Sequence, residues 1–215
     1  MSRSGSDRVG IVVGLQAEAR IARRSGCLVE IGGGTTAGAQ AAAHRLIAQN
    51  VTVLVSFGLA GGLDPLLRPG DIIVPDTVVT RGHCIATNAA FNARFGGPTP
   101  HSLLGADRIA ASSEDKRRIW LGTGCAAVDL ESGAVALAAD AEGIPFAVIR
   151  AICDPADRDL PPAALAALDG RGAIGLARVI ASVIASPRQI PSLLALAWDA
   201  AAARHALLSR VEQLR

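Results

Sequence analysis

The sequence predicts an α/β fold with a central sheet flanked by helices. Short apolar or β-branched runs alternate with alanine-rich helical stretches, the pattern of a sheet covered by helices. Glycine clusters follow several of those runs, at 14, 32–34 and 58–62. Carboxylates stand just beyond two strand ends and at the head of one helix. In an open α/β sheet, ligands bind outside the carboxyl ends of the strands.

Residues 8–13 (RVGIVV) form the first buried strand. Gly14 ends it, and LQAEARIARR after it has helical character, which puts Glu18 in the first turn beyond the strand. There it is either an acid on the ligand-binding edge or a surface acid beside Arg20, Arg23 and Arg24. Residues 27–31 are a second strand, closed by Gly32, Gly33 and Gly34, and Thr35 or Thr36 caps a helix over 37–49. A glycine turn opening a helix can cradle an anion. The chain has neither GxGxxG nor a P-loop lysine, so close packing beside a sugar or a neighbouring strand is an equal reading.

Residues 51–57 (VTVLVSF) are a β-branched central strand. It runs into Gly58, Leu59, Ala60, Gly61 and Gly62, a mostly small stretch that lets a ligand approach the backbone. LRPG at 67–70 is a turn, and 71–75 and 77–80 are further strand pieces. Residues 81–111 read as a loop-rich excursion over the site or a subunit contact. His83 and His101 within it lack metal-ligand spacing. Residues 108–113 read as a strand, followed by the charged SEDKRR stretch.

The stretch 127–157 organises the rest. An alanine-rich helix opens at Glu131 and stops at Gly143; Pro145 then opens an apolar run, 146–152, that ends at Cys153 and Asp154. Taken singly, Glu131 is a first-turn acid favoured by the helix dipole and Asp154 caps a loop. Taken together, at helix head and strand end, they point to chemistry. A stiff turn at 158–162 leads to helices at 163–167, 173–185 and 190–211, broken by Pro187 and Pro191. The last carries an apolar side of Leu193, Leu196, Ala197, Ala200, Leu207 and Leu208, read as core or dimer interface, with a membrane surface as the lesser alternative.

A chain of 215 residues has room for one domain, 1–215, with a full core. Its apolar runs are too short to span a bilayer, and MSRSGSDR has no signal-peptide apolar region, so a cytoplasmic protein is expected. Cys27, Cys84, Cys125 and Cys153 show no CxxC spacing and are expected to be buried thiols. A net charge of +2 selects no charged partner, and 3% aromatics without Tyr argues against base-stacking on nucleic acid. No metal or cofactor is expected.

VGIVVGLQAEA, EIGGGTTAGAQAAA, SFGLAGGLDPLLRPGDIIVPDTV, AVDLESGAVALAA and PFAVIRAICDPAD, in this order, resemble the nucleoside phosphorylase/nucleosidase superfamily. LESGAVA, RAICDPADR and the proline-broken alanine helices resemble its hopanoid-associated phosphorylase branch, which is similar to methylthioadenosine/S-adenosylhomocysteine nucleosidase. The resemblance implies a three-layer fold with a central mixed sheet. It also implies a homodimer and cleavage of an N-glycosidic bond through an oxocarbenium-like transition state. It makes Asp154 the acid to purine N7, Glu131 the holder of ribose hydroxyls and Glu18 the group that orients or deprotonates water. Gly58, Leu59, Ala60, Gly61, Leu130 and Cys153 then line the substrate. Repulsion among the three carboxylates, with partial burial, is expected to keep Asp154 protonated near neutral pH.

The departures set the reaction. Phosphorylases of the superfamily carry arginine where this chain has Glu18 and Ser56, so hydrolysis is expected. Methylthioadenosine nucleosidases carry Met, Ser and an aromatic where this chain has Leu130, Leu59 and the 113–117 stretch. The branch implies adenine release from adenosylhopane in hopanoid biosynthesis, with a lipid tail in an apolar mouth formed by 81–100 or the C-terminal helices and peripheral membrane contact. The alternatives are a methylthioadenosine/S-adenosylhomocysteine nucleosidase, a phosphate-dependent phosphorylase and a non-catalytic nucleoside-binding protein.

Overall fold

Three parallel strands, β1 (Val9–Val13), β3 (Val53–Gly62) and β9 (Phe146–Asp154), form the frame. The computed structural model describes residues 7–167 and 176–211. Alternate strand residues face opposite sides of a sheet. Val12, Leu54 and Val148 therefore join one core cluster, while Ile11, Val55 and Ile149 join another. Burial on both sides is why these strands read as unbroken apolar runs.

β2 (Leu28–Ile31) lies parallel on the outer side of β1. Beyond β3 come β8 (Ala127–Asp129), β7 (Ser102–Gly105), β5 (Thr77–Thr80) and β6 (His83–Ala86), in that order. The short β4 (Ile72–Ile73) pairs with β9. The pairs β3–β8, β4–β9 and β5–β6 are antiparallel, so the sheet is mixed.

Helices cover both faces, as expected. On one face lie α2 (Thr36–Ala48) and α5 (Ser132–Glu142), which bury Ala39, Ala42, Ala43, Ala138 and Ala139. On the other lie α1 (Gln16–Ala22) and α8 (Ile190–Val211), which bury Ala19, Ala22, Ala203, Leu207 and Val211. The Thr35 hydroxyl accepts from the Gly38 amide at 3.1 Å and caps α2. Gly143, with φ 64°, closes α5 in the left-handed conformation that glycine tolerates.

Several expectations need correction. Residues 81–111 are more regular than their composition suggests. Arg81 and Gly82, both at positive φ, turn β5 into β6, the conformation that suits a two-residue hairpin. The Asn88 side chain caps α3 (Ala89–Arg94). Among the described residues, none of 81–111 lines either cavity that holds the carboxylates. Residues 108–113 pair with no strand. The Ser112 hydroxyl instead caps α4 (Ser113–Thr123), drawing the chain into a helix entry.

At the C-terminus, α6 (Pro162–Ala167) and α7 (Leu176–Ala185) precede α8, and the start of the helix expected over 173–185 lies outside the described residues. Pro191 does not break a helix. It sits in the first turn of α8, where a missing N–H costs nothing. The core-facing stripe occupies only the second half of α8. In the first half Ala197 is exposed, as are Leu194 and Trp198. All four cysteines are free thiols, but Cys84 is exposed and only Cys125 is buried, because Cys84 lies on the edge strand β6. Among the described residues, no single helix is long and apolar enough to cross a membrane.

Candidate active site

The site forms where β1, β3, β8 and β9 end. Glu18, one turn into α1, is 2% exposed. Its Oε2 accepts from the Gly14 and Leu15 amides at 2.9 and 2.7 Å, and its Oε1 accepts from the Leu59 amide at 2.8 Å. The bond to Leu15 is half of a capping box, so α1 holds the carboxylate in place. Two glycines make room for the carboxylates here. A Cβ on Gly58 would lie 2.7 Å from Glu18 Oε1 and 2.6 Å from Arg150 Nη1, and one on Gly14 would collide with Glu131 Oε1.

Glu131 is the residue before α5, as the sequence indicated, but it does not cap that helix. Asp129 does, accepting from the Glu131 and Ser132 amides at 3.2 and 2.9 Å. The centre of this group is Arg150, fully buried in the middle of β9. Its guanidinium lies 2.5 Å from Asp129 Oδ2 and 3.0 Å from Glu131 Oε2. It also donates to Ser56 Oγ at 2.7 Å and to the Leu59 carbonyl at 3.2 Å. Glu18, Leu59, Asp129, Leu130 and Glu131 line a cavity of about 140 Å³.

One guanidinium among three carboxylates leaves excess negative charge. Burial above all raises the Glu18 carboxyl, against Arg150 and the backbone amides. Burial likewise pushes Glu131 up to about 8; Arg150 opposes it, and the charges of Asp129 and Glu18 add to it. Between the ordinary value of 4.5 and about 8, the folded protein keeps a proton that the unfolded chain releases, so stability falls as pH rises through that window. Glu131→Gln lacks this loss. Its thermal midpoint relative to the parent is expected to rise with pH across the window and level off above it, a trend that differential scanning calorimetry at several pH values would detect. A difference constant with pH would contradict it.

Asp154 stands apart from this cluster. It ends β9, beside Gly61 in register after a bulge at Ala60 and Gly61. It lines a different cavity, of about 310 Å³, with Arg158, Ser192, Leu196 and Asp199. The strip from Leu59 to Gly61 joins the two, since Leu59 borders the first cavity and Gly61 adjoins Asp154. The expected cause of Asp154 protonation therefore changes. Burial raises its carboxyl, while its close charged neighbour is the cation Lys116, which opposes the rise. Repulsion from Glu18 and Glu131 is not what acts on it.

Of the other expected lining residues, Leu130 faces the small cavity and Gly58 backs Glu18. Ala60 is buried in the core on the α2–α5 side, and Cys153 packs against the α1–α8 cluster. The Cys153 thiol is pushed up to about 12, chiefly by burial, and is no nucleophile at neutral pH. The sequence reading missed Arg150, Asp129 and Lys116. Arg150 was the lone charge inside an apolar strand, and Asp129 stands two residues before Glu131. Lys116 stands in the charged SEDKRR run.

The family model described as the phosphorylase superfamily matches residues 17–103 and 102–185. The chain is 28% identical over 199 residues to the 5′-methylthioadenosine/S-adenosylhomocysteine nucleosidase of Glaesserella parasuis serovar 5 (strain SH0165), covering 72% of this chain and 84% of that protein. It superposes on a small-molecule complex of the Helicobacter pylori 5′-methylthioadenosine/S-adenosylhomocysteine nucleosidase with a TM-score of 0.70 at 17% identity, over 97% and 99% of the two chains. Futalosine hydrolase of the same organism gives 0.69 at 18% identity, over 96% and 97%. The mixed sheet between helices is the fold of these structures.

Proposed function

Because the chain belongs to the phosphorylase superfamily, we propose that residues 1–215 form one enzyme domain that hydrolyses the N-glycosidic bond of an adenine nucleoside. The observation that carries this reading is the bonding of Glu18. Its Oε2 accepts two amides, while Oε1 accepts one and keeps a lone pair for the proton of a water. Those three amides are then unavailable to a phosphate, and the Arg150 guanidinium is already matched by carboxylates.

Water held by Glu18 attacks the anomeric carbon as the bond to the base breaks, and its proton passes to Glu18. Glu131 takes the ribose hydroxyls and, in its ionised form, favours the oxocarbenium-like sugar. Asp154, reached along the Leu59–Gly61 strip, gives its proton to N7 of the departing purine. Gly61 and Leu130 face the substrate.

The finer reading is adenosylhopane, the substrate of the branch that the sequence resembles, in hopanoid biosynthesis. Ser192 and Leu196 of α8 line the Asp154 cavity, and the same half of α8 exposes Leu194 (57%) and Trp198 (75%). An apolar tail leaving the ribose has this face to rest on, with peripheral membrane contact and a homodimer as further parts of the reading. The similarity to the Glaesserella enzyme favours a second substrate, methylthioadenosine or S-adenosylhomocysteine.

The test is adenine release from adenosylhopane and from methylthioadenosine, side by side, in phosphate-free buffer. Release without phosphate, at a rate that added phosphate does not raise, is the expected result. Preference for methylthioadenosine would replace the lipid substrate by the second one. Reaction only with phosphate would overturn the role given to Glu18.

A further inference from the structure

The chain holds 21 Lys and Arg residues, and Lys116 is the only lysine among them. It is also completely buried. Its Nζ lies 2.8 Å from Asp154 Oδ1 and donates to the carbonyls of Pro155 and Arg158 at 2.8 and 2.7 Å. Three acceptors match the three donors of an ammonium. Asp154 Oδ2 remains on the other side, 3.6 Å from where a Cβ on Gly61 would sit.

We infer that Lys116 is a positioning residue for the acid: it clamps Oδ1 of Asp154, turns Oδ2 toward the strip beside Gly61, and sets the charge the carboxyl carries. The inference rests on the proposed acid role of Asp154. The charged groups facing Asp154 are Lys116 from α4, Arg158 from the following turn and Asp199 from α8. Lys116 is the one in direct contact. An adjacent cation favours the ionised carboxyl against burial, so the pair sets the pH at which the proton is lost. A lysine that only stapled the turn after β9 would change stability without changing that pH.

The experiment uses Lys116→Met and, as a neutral variant that keeps a donor, Lys116→Gln. Two readouts are taken on the folded variants. One is the carbon-13 NMR titration of the Asp154 carboxyl, assigned by its loss in Asp154→Asn. The other is the pH profile of kcat/KM for adenine release. The expected result is that the carboxyl titrates about 1–3 pH units higher in either variant. The alkaline limb of kcat/KM, where the acid loses its proton, should move up with it. An unmoved titration overturns the inference, even if the rate falls uniformly at every pH. A titration that moves without the limb upholds the clamp and overturns Asp154 as the acid. The two failures are thus distinct.

Discussion

Replacing Asp154 by Asn is expected to lower kcat for adenine release by about 10²–10⁴-fold, the usual worth of a positioned general acid. The amide keeps the shape of the side chain and can still accept from Lys116, but it has no proton to give at neutral pH. Burial at the end of β9 raises the carboxyl, with Lys116 in opposition, so the native group holds a proton further up the pH scale than an exposed aspartate does. The site should therefore lose acid catalysis and keep its architecture. Rapid-quench measurement of adenine release, with near-UV circular dichroism to confirm the fold, decides the matter. A variant that turns over at the parent rate removes Asp154 from the chemistry. A variant with a lost near-UV spectrum would instead assign the residue to the turn after β9.

The second large effect is on stability. Arg150→Met is expected to destabilise the protein by about 3–5 kcal/mol, because it leaves Asp129, Glu131 and Glu18 buried without their cation. The sign of its pH dependence follows from the same charges. Without Arg150 the folded Glu131 and Glu18 carboxyls hold protons to a still higher pH than in the parent, while the unfolded chain releases them in the ordinary carboxylate range. The deficit should therefore grow as pH rises through and above about 8, where the parent's Glu131 loses its proton and the variant's does not. Urea unfolding at pH 6 and pH 9 would show a smaller loss at the lower pH. Adding Asp129→Asn should restore part of the stability at pH 9, since it removes the closest unpaired charge. A loss equal at both pH values, with no recovery in the double variant, would mean that packing of the long side chain, and not its charge, accounts for the effect.

The sequence by itself determined the α/β class, the principal strands and the positions of Glu18, Glu131 and Asp154 at element ends. These are local matters: runs buried on both faces, glycine stops and the first turns of helices leave signals within a few neighbouring residues. It also pointed to Thr35 or Thr36 as a cap, of which the structure uses Thr35, and to Gly143 as a helix stop, for the same reason. Only the tertiary structure decided which charges meet. Arg150 can be buried in β9 because Asp129, Glu131, Ser56 and the Leu59 carbonyl converge on it from other segments. Lys116 can be buried because the turn after β9 offers it two carbonyls and Asp154. A buried cation is tolerated only where acceptors surround it, and those acceptors lie many residues away along the chain. That is why a lone arginine in an apolar run and a lysine in a charged run revealed nothing until the sheet brought their partners together.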